Sequence, residues 1–193
     1  MSTKDVILLT GAGGFVGFAV LLEALKQGHN VRCVFRSQAK ADIVLNNKTL
    51  KALNCSKQLS TIFVPDFLAP RAFDEAVRDV KYIIHVASPV PTEMNGTHED
   101  YDAEFIRPAV EGTLAVFEAA AETETVKRIV LTSSIMAIRE LTKTLMEEDK
   151  ELVTTADSRL PDWNSPLQAD IQAYPASKVR IRCDLDRFER KVS

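Results

Sequence analysis

VILLTGAGGFVG at residues 6–17 combines a short apolar run with three evenly spaced glycines. The run is typical of a buried strand, and a helical pattern begins at Phe15 and continues to residue 26, so the glycines lie in a tight strand-to-helix turn. Such a turn lets a pyrophosphate approach the backbone N–H groups at a helix N-terminus, where the helix dipole favours negative charge. The alternative is an ordinary glycine-rich turn, which would need neither the preceding strand nor the following helix. The context predicts dinucleotide binding by Gly11, Gly14, Phe15, Val16 and Gly17.

Four further apolar runs continue the pattern along the chain, at residues 31–35, 61–64, 82–87 and 128–132. Near-continuous apolar runs are typical of strands that are covered on both faces of a parallel sheet. Segments with helical spacing separate them, among them residues 72–80 and 99–122, and Pro108 predicts a kink or an effective helix start in the second of these. The alternation predicts an α/β fold with a doubly wound parallel sheet and right-handed crossovers.

Length and composition narrow the class of protein. A chain of 193 residues with 46% hydrophobic and 26% charged residues predicts one globular domain over residues 1–193. The formal net charge of -3 argues against a nucleic-acid or membrane-surface partner. Cys33, Cys55 and Cys183 form an odd, widely spaced set, which predicts neither a disulfide framework nor a zinc site. With no apolar run long enough for a signal or a membrane span, we expect a cytoplasmic protein.

Other chemistries have no local sequence support. His29, His85 and His98 lack metal-ligand spacing, and His85 lies in an apolar run that is typical of a hydrogen-bonded core histidine, so we expect no metal. The motifs GxSxG, HExxH and GxxxxGK[ST] are absent from the sequence. The last segment alternates basic and acidic residues, which predicts a solvated, salt-bridged helix face. Its members are Arg180, Arg182, Arg187, Arg190 and Lys191 with Asp184, Asp186 and Glu189.

Arg36 directly follows the second predicted strand. A site that selects NAD usually has an acidic residue there to hold the ribose 2′-hydroxyl, whereas a guanidinium group suits a 2′-phosphate. Lys40 and Arg32 lie nearby and could assist, although both also fit solvated surface charge. This single position therefore predicts NADP (NADPH) as the cofactor.

Tyr174 and Lys178 are four residues apart, so they share a face if the segment is helical. A lysine ammonium near a phenol favours the phenolate form, and such a tyrosine can act as a general acid. A packed tyrosine beside a surface lysine is the alternative. Pro175 biases Tyr174 away from helical dihedrals, so the geometry depends on where the helix begins. We predict a long loop over residues 139–172, with one short helix at most, and a helix from Tyr174 onward.

Five later stretches carry a resemblance that covers nearly the whole chain. They are VPDFL at 64–68, HVASP at 85–89, PAVEGT at 108–113, RIVLTSS at 128–134 and YPASK at 174–178. In this order they resemble the signatures of the extended short-chain dehydrogenase/reductase family. HVASP and VKRIVLTSS are similar to its dihydroflavonol reductase and cinnamoyl-CoA reductase branch, which includes fungal-type NADPH-dependent aldehyde and ketone reductases, rather than to the sugar-nucleotide epimerases.

The resemblance implies roles for individual residues. Ser134, the second of two adjacent serines, would orient a substrate carbonyl, with Ser133 as the alternative, while Tyr174 protonates the oxygen. Asp66 would contact the adenine, although it also fits a turn or cap residue. Phe67 would flank the adenine, and Ala87 and Ser88 would line the path to the nicotinamide ribose. Tyr174 and Lys178 would also bind the cofactor.

The sequence departs from the family that it resembles in one respect. The chain ends 15 residues after Lys178, whereas family members continue with further strands and a smaller region that closes over the substrate. A sheet lacking those strands would have an exposed edge, through which we expect self-association. Three hypotheses stay open: an NADP-dependent reductase of a small-molecule ketone or aldehyde, a truncated and non-catalytic nucleotide-binding remnant, and an NAD-dependent epimerase/dehydratase, which Arg36 disfavours.

Overall fold

A computed structural model describes residues 5–89, 100–139, 154–155, 157–162, 167 and 170–192 of the chain. The chain divides into two compact units. The first unit comprises Met1–Ser88 and Ala115–Thr132, and the second comprises Pro89–Leu114 and Ser133–Ser193. The single domain expected over residues 1–193 stays a prediction.

The first unit contains a parallel five-stranded sheet of order β3-β2-β1-β4-β5. Its strands are β1 (Val6–Thr10), β2 (Asn30–Phe35), β3 (Leu59–Phe63), β4 (Val80–His85) and β5 (Arg128–Leu131). Leu9 in β1 lies opposite Cys33 in β2 and Ile84 in β4. The predicted doubly wound parallel sheet is confirmed, and its strand boundaries shift by one or two residues.

The described helices lie between or after the strands, except that no helix lies between β3 and β4. They are α1 (Phe15–Lys26), α2 (Gln38–Leu45), α3 (Lys48–Ala52), α4 (Arg107–Ala121) and α5 (Asp170–Val192), with 3-10 turns at Ser56–Gln58 and Ile135–Ala137. A π-helical turn at Asp102–Ile106 precedes α4. The prediction at Pro108 holds only as a change of helix type: the π-helical turn ends at Ile106 and α4 continues directly from Arg107, whose N–H donates to the carbonyl of Asp102.

Side chains alternate between the two faces of the sheet and form two buried clusters. Leu8 packs on one face, and the adjacent Leu9 packs on the other. The first face is covered by the segment between β3 and β4 and by the end of α4, through Phe73, Ala76, Val77, Val116, Ala119 and Ala120. The second face is covered by α1, α2 and α3, through Leu21, Leu25, Ala41, Val44 and Leu50. Burial on both faces explains the continuous apolar runs of the strands.

The helix predicted at residues 72–80 is wrong. Residues 70–79 form successive turns instead of a helix, and β4 already begins at Val80. Arg71 and Asp79 have φ of 59° and 58°, a left-handed conformation that a continuous right-handed helix cannot include. The apolar residues at spacings of three and four are nevertheless buried: Phe73, Ala76 and Val77 all belong to the core cluster.

Helix α5 begins at Asp170, four residues earlier than predicted, and so includes the end of the loop expected at 139–172. Tyr174 is therefore helical, and Pro175 lies inside the helix rather than at its start. The hydroxyl of Ser177 donates to the carbonyl of Tyr174 at 2.7 Å. The helical spacing that the Tyr174–Lys178 pair requires is present despite the proline.

The solvated face predicted for this last helix is wrong in part. Arg180 and Arg187 donate to the carboxylate of Asp162, with N–O distances of 2.8 and 3.3 Å, and Arg182 donates to the carbonyl of Leu160. These bonds hold residues 160–162 against α5. Helical spacing predicted ion pairs between residues of the same helix, but these guanidinium groups bind residues outside it.

Among the residues that the structure describes, no helix has both the length and the apolar composition needed to cross a membrane. The cytoplasmic location expected from the sequence stays a prediction.

Candidate functional site

The glycine turn between β1 and α1 has the geometry of an anion cradle. Gly11 has a φ of 78°, and the N–H of Gly14 donates to its carbonyl at 3.0 Å. A Cβ atom on Gly17 would lie 2.0 Å from the same carbonyl oxygen, so only glycine allows this close approach. Gly14 caps α1 without a side-chain hydrogen bond, which leaves the first helical N–H groups for an anionic ligand.

Phe15 and Val16 lie at the start of α1, and both are exposed although they are apolar. The exposed fraction is 94% for Phe15 and 50% for Val16. Exposed apolar side chains directly beside an uncapped helix N-terminus fit a ligand that has both an anionic and an apolar part.

Thr10 ties the glycine turn to the end of β4. Its buried Oγ1 accepts hydrogen bonds from the N–H groups of Val86 and Ala87, at 3.1 and 3.2 Å, and lies 2.8 Å from Nδ1 of His85. Because the hydroxyl accepts from two amides, its own proton is donated to His85. His85 is thus a buried, hydrogen-bonded core residue, as its sequence context predicted.

Ala87 lies against the glycine turn as a result. A Cβ atom on Gly11 would come within 2.7 Å of the Ala87 nitrogen. The contact joins the carboxyl ends of β1 and β4, where the strand order reverses and where doubly wound sheets bind their ligands. The role of Thr10 was not predicted from the sequence. The signal for it was a polar residue at the end of an otherwise apolar strand.

Arg36 follows β2 and is exposed. Its guanidinium carbon lies 5.5 Å from the ring centroid of Phe67. Phe67 in turn packs edge-to-face on the fully buried Phe73, with ring centroids 4.8 Å apart. Within the described ranges, no carboxylate forms an ion pair with Arg36 or with Lys40. Two positive side chains near the end of β2 are therefore available for an anion.

Three neighbouring side chains have their own local partners. Arg32, a possible helper in the sequence analysis, donates instead to the carbonyls of Ala76 and Arg78, at 2.9 and 2.7 Å. Asp66 accepts from the N–H of Leu68 at 2.8 Å and so stabilises its own turn, while its contact with an adenine stays a prediction. Ser37 caps α2 by accepting from the N–H of Lys40. The capping role of Ser37 was not predicted, although a serine directly before a helix is the sequence signal for it.

In the second unit, Lys178 faces the ring of Tyr174 on α5. The Nζ atom of Lys178 lies 5.3 Å from the Tyr174 ring centroid. Lys178 is only 5% exposed, and this burial lowers the pKa of its ammonium group. The pair places a buried lysine side chain against the face of the Tyr174 ring.

Ser134 precedes the 3-10 turn Ile135–Ala137, which packs against α5. Its hydroxyl oxygen accepts from the N–H of Met136 at 3.3 Å, and the residue is half-buried. Ser133 is exposed. Of the two serines, Ser134 is thus the one held by a hydrogen bond, and its hydroxyl proton remains available as a donor.

A sequence profile described as the NAD dependent epimerase/dehydratase family matches residues 7–178 of this chain. The chain belongs to this family.

Relatives in this family include reductases. The epimerase/dehydratase-family chain is 40% identical to Ketoreductase CTB6 of Cercospora nicotianae over 177 residues, which is 91% of this chain and 49% of the relative. A Dihydroflavonol 4-reductase of Hordeum vulgare is 36% identical over 131 residues, which is 68% of this chain and 35% of the relative. The resemblance inferred from the sequence motifs is confirmed.

A solved structure is also similar to this family member. It is the yeast methylglyoxal/isovaleraldehyde reductase Gre2 complexed with NADPH, at a TM-score of 0.80 and 27% identity, covering 97% of this chain and 54% of that chain. The chain spans about half the length of the curated ketoreductase relative it matches.

The predicted site residues of this family member fall into two groups. The cofactor-binding group lies in the first unit and comprises Gly11, Gly14, Phe15, Val16, Gly17, Arg36, Lys40, Asp66, Phe67, Ala87 and Ser88. The catalytic group lies in the second unit and comprises Ser134, Tyr174 and Lys178, of which Tyr174 and Lys178 are also predicted to bind the cofactor. The described residues contain no cluster of three metal-ligating side chains. His98 and residues 140–153, within the predicted loop, lie outside the described residues.

Proposed function

We propose that this chain carries the cofactor and catalytic residues of an NADP-dependent oxidoreductase that reduces a ketone or aldehyde to an alcohol. The observation that carries the proposal is the buried ammonium of Lys178, 5.3 Å from the ring centroid of Tyr174. Membership of the family and the ketoreductase relative support a carbonyl substrate.

The residues of the first unit fit a dinucleotide with a 2′-phosphate. The glycine turn offers uncapped N–H groups for the pyrophosphate. Arg36 and Lys40, which have no carboxylate partner among the described residues, offer positive charge for the 2′-phosphate. The NADPH in the similar yeast reductase supports the same choice.

The proposed reaction assigns one task to each residue of the catalytic group. When bound, NADPH would supply the hydride for the carbonyl carbon. Tyr174 donates its phenolic proton to the carbonyl oxygen, so the C=O double bond becomes a C–OH group and the phenolate is reprotonated from solvent. Lys178 stabilises that phenolate, and the Ser134 hydroxyl donates a hydrogen bond that orients the carbonyl oxygen.

The test is the oxidation of NADPH by this chain in the presence of methylglyoxal or isovaleraldehyde. We expect Tyr174→Phe to lower turnover at saturating NADPH by about 100-fold or more, because the general acid is lost. Tyr82→Phe is the matched control, since Tyr82 also has a lysine against its ring, Lys81 at 5.5 Å, but lies outside the proposed catalytic group. It should react as fast as the wild type.

Three results would count against the proposal. A wild-type chain that binds NADPH but reduces neither aldehyde contradicts the reductase assignment. A Tyr174→Phe chain that keeps wild-type turnover contradicts the role of the tyrosine. A preference for NADH would favour the NAD-dependent epimerase/dehydratase hypothesis instead.

A further inference from the structure

Arg36 differs from other arginines of the first unit in what holds its side chain. Arg71 and Arg78 pair with the carboxylates of Asp74 and Glu75. Arg32 donates to two backbone carbonyls. Arg36 instead lies over the face of the Phe67 ring.

A ring face and a carboxylate hold a guanidinium group in different ways. A carboxylate uses the N–H donors and neutralises the charge, whereas a ring face attracts the cation and leaves its donors in the guanidinium plane for another acceptor. An arginine held by a ring is therefore restricted in position while it stays able to bind a phosphate in bidentate fashion.

The Phe67 ring is itself fixed from behind. It is half-buried, packs against the buried cluster on its face of the sheet, and meets Phe73 edge-to-face at an interplanar angle of 77°. Phe73 is fully buried. The sheet core thus determines the ring orientation, and the ring orientation determines where the guanidinium group can lie.

We infer that Phe67 is a specificity-determining residue, a positioning residue that holds Arg36 for the 2′-phosphate and so favours NADPH over NADH. The inference rests on the proposed function. It differs from the adenine-flanking role that the family resemblance implies, because an adenine contact would serve both cofactors equally. Preorganising an arginine lowers the entropy lost when its charge binds the ligand.

The experiment is a calorimetric titration of the full chain with adenosine 2′,5′-bisphosphate and, separately, with 5′-AMP. These probes differ in the 2′-phosphate and lack the nicotinamide. Phe67→Leu should lower the preference for the bisphosphate about two- to five-fold, the range for a cation–π contact at an exposed site. Phe67→Tyr keeps the ring face and should retain the wild-type preference.

A double-mutant cycle identifies the route of the effect. In an Arg36→Ala background, Phe67→Leu should no longer change the preference between the two probes, because the residue through which Phe67 acts is gone. If Phe67→Leu does not fold, Phe67→Met, which fills the same space against Phe73 without a ring, carries the same prediction.

The outcomes separate this inference from the proposed function. If the wild type prefers the bisphosphate and Phe67→Leu weakens both probes by the same factor, or neither, the inference is wrong while the proposed cofactor stands. If Phe67→Leu still lowers the preference in the Arg36→Ala background, the inference is also wrong. A wild-type chain without any preference contradicts the proposed cofactor and the inference together.

Discussion

Gly17 shows how one absent side chain controls the nucleotide turn. A Cβ atom there would lie 2.0 Å from the carbonyl oxygen of Gly11, a backbone atom that the Gly14 N–H already binds. The obstruction is backbone, so it cannot be relieved by rotating a side chain. The whole turn would have to move, and with it the N–H groups at the start of α1.

Gly17→Ala should therefore destabilise the chain by about 1–3 kcal/mol and weaken NADPH binding by at least about tenfold. Gly13→Ala is the matched control from the same turn, since the nearest atom to its new Cβ would be 3.9 Å away. Urea unfolding and NADPH titration of both variants measure the two effects. Equal behaviour of the two alanine variants would contradict the structural role of Gly17.

The burial of Lys178 predicts how folding stability changes with pH. Burial lowers its pKa from the ordinary value of 10.5. Between the lowered value and 10.5, the unfolded chain holds a proton that the folded chain has lost, so folding stability rises with pH there. Relative to Lys178→Met, the wild type should gain at most about 1.4 kcal/mol per pH unit across that window and nothing below it.

Lys81→Met is the control of opposite sign. A hydrogen bond from Lys81 to Asp5, followed by their charge attraction, raises the pKa of Lys81. Its contribution is present below pH 10.5 and is lost as the pH rises through the raised value. Urea unfolding of both variants from neutral pH upward measures the two slopes. A flat difference for Lys178→Met would show that its ammonium is not disfavoured by burial.

At the scale of elements, α5 does more than carry Tyr174 and Lys178. The half-buried carboxylate of Asp162 accepts from Arg180 and Arg187, which fastens residues 157–162 to the helix. The Arg180–Asp162 pair is partly buried, the Arg187 side chain is 55% exposed, and the two donors converge on one acceptor. Such a network contributes more than the small free energy of an isolated surface pair.

Asp162→Ala should destabilise the attachment of this segment by about 1 kcal/mol, which raises hydrogen exchange over residues 157–162 by about fivefold. Asp186→Ala removes a pair on the same helix whose N–O distance is 3.9 Å and whose carboxylate is 53% exposed, and should change nothing measurable. Exchange followed by mass spectrometry tests both. Unchanged exchange in Asp162→Ala would contradict the attachment.

Elements with a single strong signal were predictable from the sequence. The strands were found because burial on both faces requires continuous apolar residues, as at Leu8 and Leu9. The segment before β4 was predicted wrongly, because Phe73 and Val77 have helical spacing. Arg71 and Asp79 adopt left-handed backbone angles, for which the sequence carries no recognisable pattern. Similarly, Asp162 is a long-range partner of α5, and periodicity within a helix carries no information about such partners.

At the scale of the whole molecule, the candidate site was predictable where function depends on local sequence. The glycine turn, Arg36 and the Tyr174–Lys178 spacing are short motifs with a direct chemical reason. The contacts that support them, from Thr10 to Ala87 and from Phe67 to Arg36, join residues far apart in sequence and needed the fold. The outer strands of the described sheet are β3 and β5, and self-association through a sheet edge stays a prediction.

The central proposal is that Arg36 and Lys40, near the end of β2, bind the 2′-phosphate of the cofactor. The most direct test is a calorimetric titration of the chain with NADPH and, in parallel, with NADH. We expect NADPH to bind at least about tenfold more tightly than NADH, since charge-assisted hydrogen bonds from Arg36 to a 2′-phosphate are possible only with NADPH. Equal binding of the two cofactors, or tighter binding of NADH, would contradict it.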